Sequence, residues 1–183
     1  AENNDDYTLT IEELPMLSEA EIKQQVFEWN DTACAYPHDL LVHEMFEEQA
    51  RLHPEAIAIV FEGREMSYGE LNGRANVVAR YLRSEGIGEE GSGKRLVGLG
   101  TDRSFEMIVG MLGILKAGGA YVPLDLAHPD DRLAYMLSDT GASHVLTQSH
   151  LVNHWETVVE YFTIAKFDNR LGSSITIDIV DLD

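Results

Sequence analysis

The order of apolar and polar residues along the chain predicts short strands that alternate with amphipathic helices. Apolar residues recur at helical spacing after Ser18, Leu41, Ser67, Ser104 and Asp130. Short apolar runs predict strands at residues 56–61, around Met66, and at residues 96–99, 120–122, 144–146 and 174–179. A further helix is expected through Trp155 and Tyr161. Because strands and helices alternate, we expect an α/β domain with a largely parallel sheet and flanking helices.

Local signals refine this pattern. Ser18 and Ser67 each have a glutamate three positions later, which predicts two capping boxes, and Ser104 predicts a third hydroxyl N-cap. The run 56–61 is apolar throughout and rich in β-branched residues, which predicts a buried strand. Glu62, Gly63 and Arg64 predict a tight turn into the next strand.

Composition places the pattern in a folded, acidic protein. The 183 residues are 44% hydrophobic, which is enough for a core. The net charge is −19, and residues 1–50 hold 13 acidic residues and 1 basic residue. That balance argues against binding to nucleic acid or to an anionic membrane, and no apolar run is long enough for a bilayer. Cys34 is the single cysteine, which fits a reducing, cytoplasmic compartment.

Two glycine-containing segments invite a nucleotide-binding interpretation. Residues 88–95 match the start of the P-loop pattern, but Arg95 replaces its final hydroxyl, and the segment follows a predicted helix and precedes a predicted strand. A P-loop needs the opposite order, so a solvated turn is the better interpretation. Gly98 and Gly100 lie between a strand and a helix, but Arg103 occupies the place of the third glycine of a dinucleotide fingerprint.

Other candidate chemistry is equally sparse. His150 and His154 share a helical face and could bind a metal, but H-L-V-N-H lacks the glutamate of a zinc protease helix, so an exposed helix is the alternative. The paired acids Glu47-Glu48 and Asp130-Asp131 are expected to be solvated charges. We therefore assign no catalytic, cofactor-binding or metal-ligating residue to this chain.

Two longer motifs carry a family resemblance. Residues 66–76 (MSYGELNGRAN) and 115–125 (LKAGGAYVPLD) resemble the first two core motifs of amino-acid adenylation domains of nonribosomal peptide synthetases, members of the AMP-forming adenylating superfamily. Residues 102–107 and 131–137 are similar to the same family pattern. Residues 14–21 with 29–32 resemble the linker between a condensation domain and an adenylation domain.

This resemblance implies an organisation and a function. Residues 1–40 would be an acidic interdomain linker with one short helix, 41–151 the N-terminal part of an adenylation domain, and 152–183 a divergent C-terminal segment. The complete domain would use ATP and Mg²⁺ to activate an amino acid as aminoacyl-AMP and would load it onto the phosphopantetheine thiol of a carrier protein. Its partners would be the rest of the adenylation domain and the adjacent condensation and carrier domains.

The motifs that bind triphosphate in this family come later than the segments matched here, so we expect the chain alone to be inactive. Within the matched motifs, Lys116 suits a helix C-terminus facing the dipole and Asp125 suits a loop, which predicts scaffold roles. Two alternatives remain open. One is a stand-alone acidic docking module or remnant that contacts a basic partner, and the other is an unrelated nucleotide binder that uses Gly88 to Lys94.

Overall fold

The computed structural model describes residues 16–167 and 178–183. It divides the chain into two compact units, Ala1–Asp39 and Leu40–Asp183. In the first unit, helix α1 (Glu19–Ile22) continues as a π-helical segment (Lys23–Glu28). The capping box predicted at Ser18 is confirmed, because the backbone N–H of Ser18 donates to Glu21 Oε2 at 2.7 Å and that of Glu21 donates to Ser18 Oγ at 3.3 Å.

The apolar residues of this first helical segment are exposed. Ile22, Val26 and Trp29 are 40%, 51% and 66% exposed. The segment ends where the side chain of Asn30 donates to the carbonyls of Gln25 and Val26, at 2.9 and 3.0 Å. These contacts satisfy backbone groups that the end of the helix would otherwise leave to water.

The second unit contains the α/β fold. Its helices are α2 (Val42–Leu52), α3 (Tyr68–Ser84), α4 (Phe105–Ala117), α5 (Asp130–Thr140) and α6 (Val152–Phe167), with a 3₁₀ turn at Ser149–Leu151. Its strands are β1 (Ile57–Phe61), β2 (Arg64–Ser67), β3 (Leu96–Leu99), β4 (Ala120–Pro123), β5 (His144–Thr147) and β6 (Asp178–Asp181). None of the helices in the described ranges is long and apolar enough to cross a membrane.

Four strands form one sheet in the order β4-β3-β5-β6, and every pair in it is parallel. This confirms the predicted α/β class and the largely parallel sheet. Leu96 pairs with Ala120 and Val145 with Ile179, which fixes the register at two of the three ladders. The segment predicted as a strand at 174–179 is described from Asp178 onward, and residues 174–177 lie outside the described residues.

Strands β1 and β2 form a separate antiparallel hairpin. The prediction of a buried strand at residues 56–61 is wrong, because Ile57 and Val60 are 53% and 63% exposed. One face of the hairpin meets solvent, and a register irregularity between Ile57 and Ile59 leaves Ala58, Ile59 and Phe61 partly buried, a choice that a uniformly apolar run does not reveal. The tight turn is confirmed, since Glu62 and Gly63 both have positive φ, 49° and 74°.

The N-caps predicted at Ser67 and Ser104 are confirmed. The Ser67 hydroxyl accepts from the backbone N–H of Glu70 at 3.2 Å, and the Ser104 hydroxyl accepts from that of Met107 at 3.2 Å. Of the capping box predicted at Ser67, α3 shows the hydroxyl contact, without the return contact of the Glu70 side chain among the described residues. The backbone N–H of Gly69 in that first turn instead donates to the carbonyl of Pro54 at 2.8 Å.

Helices cover both faces of the parallel sheet. One buried cluster joins α5 and α6 to the sheet: Leu124, Leu133, Leu137, Val145, Trp155 and Val158. Another joins α3 and α4 to the opposite face: Ala79, Leu82, Val97, Ile114 and Leu146. A third lies between the hairpin and the first turns of α3 and α4: Met66, Leu71, Ala75, Phe105 and Val109. This doubly covered sheet brings the carboxyl ends of its strands to one edge, the usual place for a site in such folds.

Candidate functional site

The carboxyl edge of the parallel sheet is organised around the carbonyl oxygen of Gly100. That oxygen accepts from Thr147 Oγ1 at 2.7 Å and from Trp155 Nε1 at 3.0 Å, while the Gly100 N–H donates to the Leu146 carbonyl at 3.0 Å. Thr147 and Trp155 are fully buried. The end of β3 is therefore held by both the neighbouring strand and helix α6.

The glycines at 98 and 100 fit close packing. A Cβ on Gly100 would lie 1.9 Å from Trp155 Cζ2, and a Cβ on Gly98 would lie 2.8 Å from Leu124 Cδ1. Real Cβ atoms do not approach other heavy atoms this closely, so Gly100 is needed for packing against the rigid indole, whereas at Gly98 the end of the flexible Leu124 side chain would have to shift. The geometry gives these glycines a role that requires no dinucleotide.

The loops that follow β3, β5 and β6 are joined by side-chain hydrogen bonds. The backbone N–H of Asp102 donates to Gln148 Oε1 at 2.9 Å, and Asp102 Oδ2 lies 3.0 Å from His150 Nε2. The backbone N–H of Ser149 donates to Asp183 Oδ2 at 2.9 Å. The imidazole of His150 and the carboxylate of Asp102 are more than half exposed, so this pair faces solvent at the carboxyl edge of the sheet.

The two histidines considered as metal ligands each lie beside a different acidic residue. His150 lies in the 3₁₀ turn and faces Asp102, whereas His154 lies in α6 with its Nε2 3.6 Å from Asp130 Oδ1. The 3₁₀ turn that contains His150 leads directly into α6, so the two histidines lie in successive helical segments of different type. Within the described ranges, no three His, Cys, Asp or Glu side chains are grouped as a metal would require.

A charged pair links α3 to α4 beside the end of β6. Arg74 Nη2 lies 2.8 Å from Glu106 Oε1 and 3.4 Å from the Leu182 carbonyl. Burial raises the pKa of Glu106, but hydrogen bonds from its own backbone and from Arg74 outweigh that effect, so the pKa is lower than usual. An open groove of about 670 Å³ runs past this pair, lined by Glu70, Arg74, Val77, Val78, Tyr81, Val109, Val180, Leu182 and Asp183.

Lys116 lies at the centre of a buried polar cluster. Its Nζ is 2.5 Å from Glu47 Oε1, 2.6 Å from Asn72 Oδ1 and 2.9 Å from Asn76 Oδ1, and its side chain is 3% exposed. The ammonium therefore joins three helices, α2, α3 and α4. Lys116 lies in the last turn of α4, as expected, but its ammonium donates to these side-chain oxygens of α2 and α3, which corrects the expectation that it faces the helix dipole.

Sequence reasoning did not identify the partners of Lys116. Asn72 and Asn76 are four residues apart, and so lie on one face of α3. Lys116 is the one basic residue of α4, whose other charged residue is Glu106 in the first turn. Those two signals together could have indicated the cluster. Glu47 is exposed, as expected of a solvated charge, but its carboxylate also pairs with a buried ammonium, whereas Glu48 pairs with Arg51 at the surface.

The loop at 88–95 is confirmed to leave helix α3 and to enter strand β3. Gly88 has φ of 81°, and a Cβ there would lie 2.1 Å from the carbonyl oxygen of Ala117. Glycine is thus needed at position 88, where the loop passes the end of α4. Asp125 lies in a loop, as expected, and its Oδ1 accepts from the backbone N–H of Ala127 at 2.9 Å.

Comparison with known proteins assigns the fold to a family. A sequence profile of the AMP-binding enzyme family matches residues 46–181, well over half of the chain. The chain belongs to the AMP-binding enzyme family. The resemblance noted from the two motifs at 66–76 and 115–125 is thereby confirmed.

Among sequence relatives of this AMP-binding enzyme chain are multidomain peptide synthetases. Gramicidin S synthase 2 of Brevibacillus brevis is 46% identical over 159 residues, which is 87% of this chain and 4% of the relative. Tyrocidine synthase 3 of Brevibacillus parabrevis is 48% identical over 147 residues, 80% of this chain and 2% of the relative. The chain therefore spans only 2–4% of the length of these curated relatives.

Solved structures agree with the sequence relatives. The nonribosomal peptide synthetase FmoA3, in its alpha-methyl-L-serine-AMP bound form, superposes with a TM-score of 0.64 at 33% identity, over 81% of this chain and 15% of that one. The N-terminal subdomain of Klebsiella oxytoca NpsA superposes with a TM-score of 0.54 at 19% identity, over 77% of this chain and 31% of that one, which supports the fold alone. The fold is that of the N-terminal portion of an adenylation domain.

Proposed function

We propose that this chain is the N-terminal part of an adenylation domain that activates an amino acid for nonribosomal peptide synthesis. In the complete domain, ATP and Mg²⁺ would convert the amino acid to aminoacyl-AMP, which would then be transferred to the phosphopantetheine thiol of a carrier domain. The observation that carries the proposal is the 46% identity to Gramicidin S synthase 2 across 87% of the chain. It is supported by the likeness to FmoA3, whose structures include AMPPNP-bound and aminoacyl-AMP-bound forms.

We further propose that the chain supplies scaffold to this reaction and does not catalyse adenylation by itself. Three hydroxyls that could act as nucleophiles or phosphate ligands, those of Ser18, Ser67 and Ser104, accept hydrogen bonds at helix N-termini. Lys116 is buried among three oxygens, and Asp125 closes its own turn. Within the two matched motifs, the polar groups of Ser67, Lys116 and Asp125 thus each have a partner inside the fold.

The proposed organisation follows the sequence boundaries. Residues 1–40 would link a condensation domain to the adenylation domain, 41–151 would form its N-terminal part, and 152–183 would lead toward the rest of it. The match to Gramicidin S synthase 2 covers 159 residues and so extends in front of residue 46, where the family profile begins. That extension supports a linker shared by multidomain synthetases, which would operate in the cytoplasm.

Amino-acid-dependent exchange between ATP and pyrophosphate tests both parts of the proposal. The 183-residue chain alone should give exchange at the level of a reaction without enzyme. A chimera in which this chain replaces the matching segment of a Gramicidin S synthase 2 adenylation domain should restore exchange. Exchange by the chain alone would contradict the scaffold proposal, and a folded chimera that gives no exchange would contradict the adenylation proposal.

The uneven charge favours one other candidate function, an acidic docking module. Residues 1–50 hold 13 acidic residues and 1 basic residue, which would attract a basic partner at low salt. If docking is the function, a purified partner should bind the intact chain at low salt and be lost at about 0.5 M NaCl, where exposed charges are strongly screened.

The nucleotide-binder alternative has its own test in Lys94→Ala. That alternative requires that the intact chain binds ATP and that this substitution removes the binding.

A further inference from the structure

Helix α2 is thinly packed for an element of a folded domain. Ala50 is its one buried residue, and all eleven of its residues lie within the described part of the chain. Val42, Met45 and Leu52 are 71%, 44% and 49% exposed. Helices with so little buried apolar surface open locally more readily than the core, so individual contacts decide whether α2 stays in place.

Phe46 of α2 packs against the third hydrophobic cluster, and the polar contacts of α2 with the other helices converge on Lys116. Glu47 Oε1 lies 2.5 Å from Lys116 Nζ, and the ring centroid of the adjacent Phe46 lies 5.8 Å from the same nitrogen. Phe46 also stacks on Tyr68, the first residue of α3, with ring centroids 5.7 Å apart. Two successive residues of α2 thus meet one ammonium, which makes that ammonium the main polar anchor of the helix.

The ion pair is asymmetric. The Lys116 side chain is 3% exposed and also donates to Asn72 and Asn76, whereas the Glu47 side chain is 47% exposed. If α2 moves away, the carboxylate is hydrated at once, but the ammonium keeps its two amide partners on α3. The buried charge then loses the only carboxylate within salt-bridge distance among the described residues, which penalises the open state.

We propose that the pair Glu47–Lys116 is a latch that holds helix α2 against α3 and α4, and that its opening releases α2 as a unit while the sheet stays folded. The same ammonium joins the motif at 66–76 to the motif at 115–125 through Asn72 and Asn76. Those motifs therefore remain joined when α2 leaves. The second unit begins at Leu40, two positions before α2. The latch therefore determines whether the start of this unit, from Val42 onward, is held against α3 and α4.

Hydrogen–deuterium exchange of the 183-residue chain tests the latch. In Glu47→Gln, the amides of residues 42–52 should exchange about tenfold faster, because the charge that retains α2 is gone. Amides of β3 and α4 should exchange at the unchanged rate. Glu48→Gln is the matched control, since Glu48 pairs with Arg51 in the same helix at 2.7 Å, and its loss should alter exchange in α2 by less than about twofold.

Two results would overturn the latch. One is equal exchange of residues 42–52 in Glu47→Gln and Glu48→Gln, and the other is an equal acceleration in α2, β3 and α4, which would indicate a general loss of stability. Lys116→Met gives an independent measurement, because Glu47→Gln on that background should add nothing further to exchange in α2. If Lys116→Met fails to fold, as its circular dichroism would reveal, the comparison of the two glutamine variants decides.

Discussion

Gly100 illustrates how much of this fold depends on single atoms. A Cβ at this position would lie 1.9 Å from Cζ2 and 2.4 Å from Cε2 of Trp155, whose indole cannot retreat without losing its hydrogen bond to the Gly100 carbonyl. We expect Gly100→Ala to lower the free energy of unfolding by about 3 kcal/mol, at the upper end of the usual cost of overpacking. Urea denaturation followed by circular dichroism measures the change.

The control for this substitution is another glycine. Gly73 lies inside α3 with no atom within 4 Å of a built Cβ, so Gly73→Ala should leave the packing unchanged and raise the stability by about 0.5–1 kcal/mol through helix propensity. A comparable loss of stability in both variants would show that the indole contact is not what Gly100→Ala disrupts.

At the scale of single elements, the β1–β2 hairpin has an adjustable turn. Glu62 has φ of 49°, a left-handed conformation that costs most non-glycine residues about 1 kcal/mol, whereas asparagine tolerates it. We expect Glu62→Asn, which creates an Asn-Gly turn with Gly63, to raise the free energy of unfolding by about 0.5–1 kcal/mol. Thermal unfolding monitored by circular dichroism provides the measurement.

Glu62→Gln separates conformation from charge. It removes the same negative charge from this acidic protein but adds no preference for the left-handed region, so the stability should stay close to that of the unsubstituted chain. An equal gain in both variants would mean that relief of charge repulsion, and not turn geometry, raises the stability.

Across the whole molecule, stability should depend on pH through Glu106. Its pKa in the folded protein is lower than the usual value of 4.5, so the pair with Arg74 stabilises the fold above that pH and loses its contribution as the pH falls through the folded pKa. At pH 7, Glu106→Gln should therefore be less stable than the unsubstituted chain by about 1 kcal/mol. Urea denaturation should show this difference shrinking as the pH is lowered from 5 to about 3.

Arg74→Met removes the other partner of the pair and should reduce the same acid dependence. This variant distinguishes the ion pair from the general protonation of 32 acidic residues, which affects every variant alike. A difference between Glu106→Gln and the unsubstituted chain that stays constant from pH 7 to pH 3 would contradict the role assigned to the pair.

Sequence analysis predicts the features that depend on neighbouring residues, such as helix caps, and misses those that depend on tertiary contacts. Ser18, Ser67 and Ser104 were recognisable as caps because the groups they bind lie within three residues. The partners of Lys116 come from two other helices, one of them 69 positions away, so spacing along the chain does not identify them. The exposure of Val60 was missed for a related reason. An apolar run does not reveal whether its strand joins a covered parallel sheet or a two-stranded hairpin with one face in solvent.

The different surroundings of the two tryptophans allow each unit to be observed separately. Trp155 is fully buried in the α/β unit beside Gly100, whereas Trp29 is 66% exposed and belongs to the unit before Leu40. Iodide should quench the emission of Trp29 and spare that of Trp155 in the native chain. Unfolding of the α/β unit would then appear as the emergence of a quenchable, red-shifted fluorophore, so one optical titration can resolve which part of the polypeptide has responded.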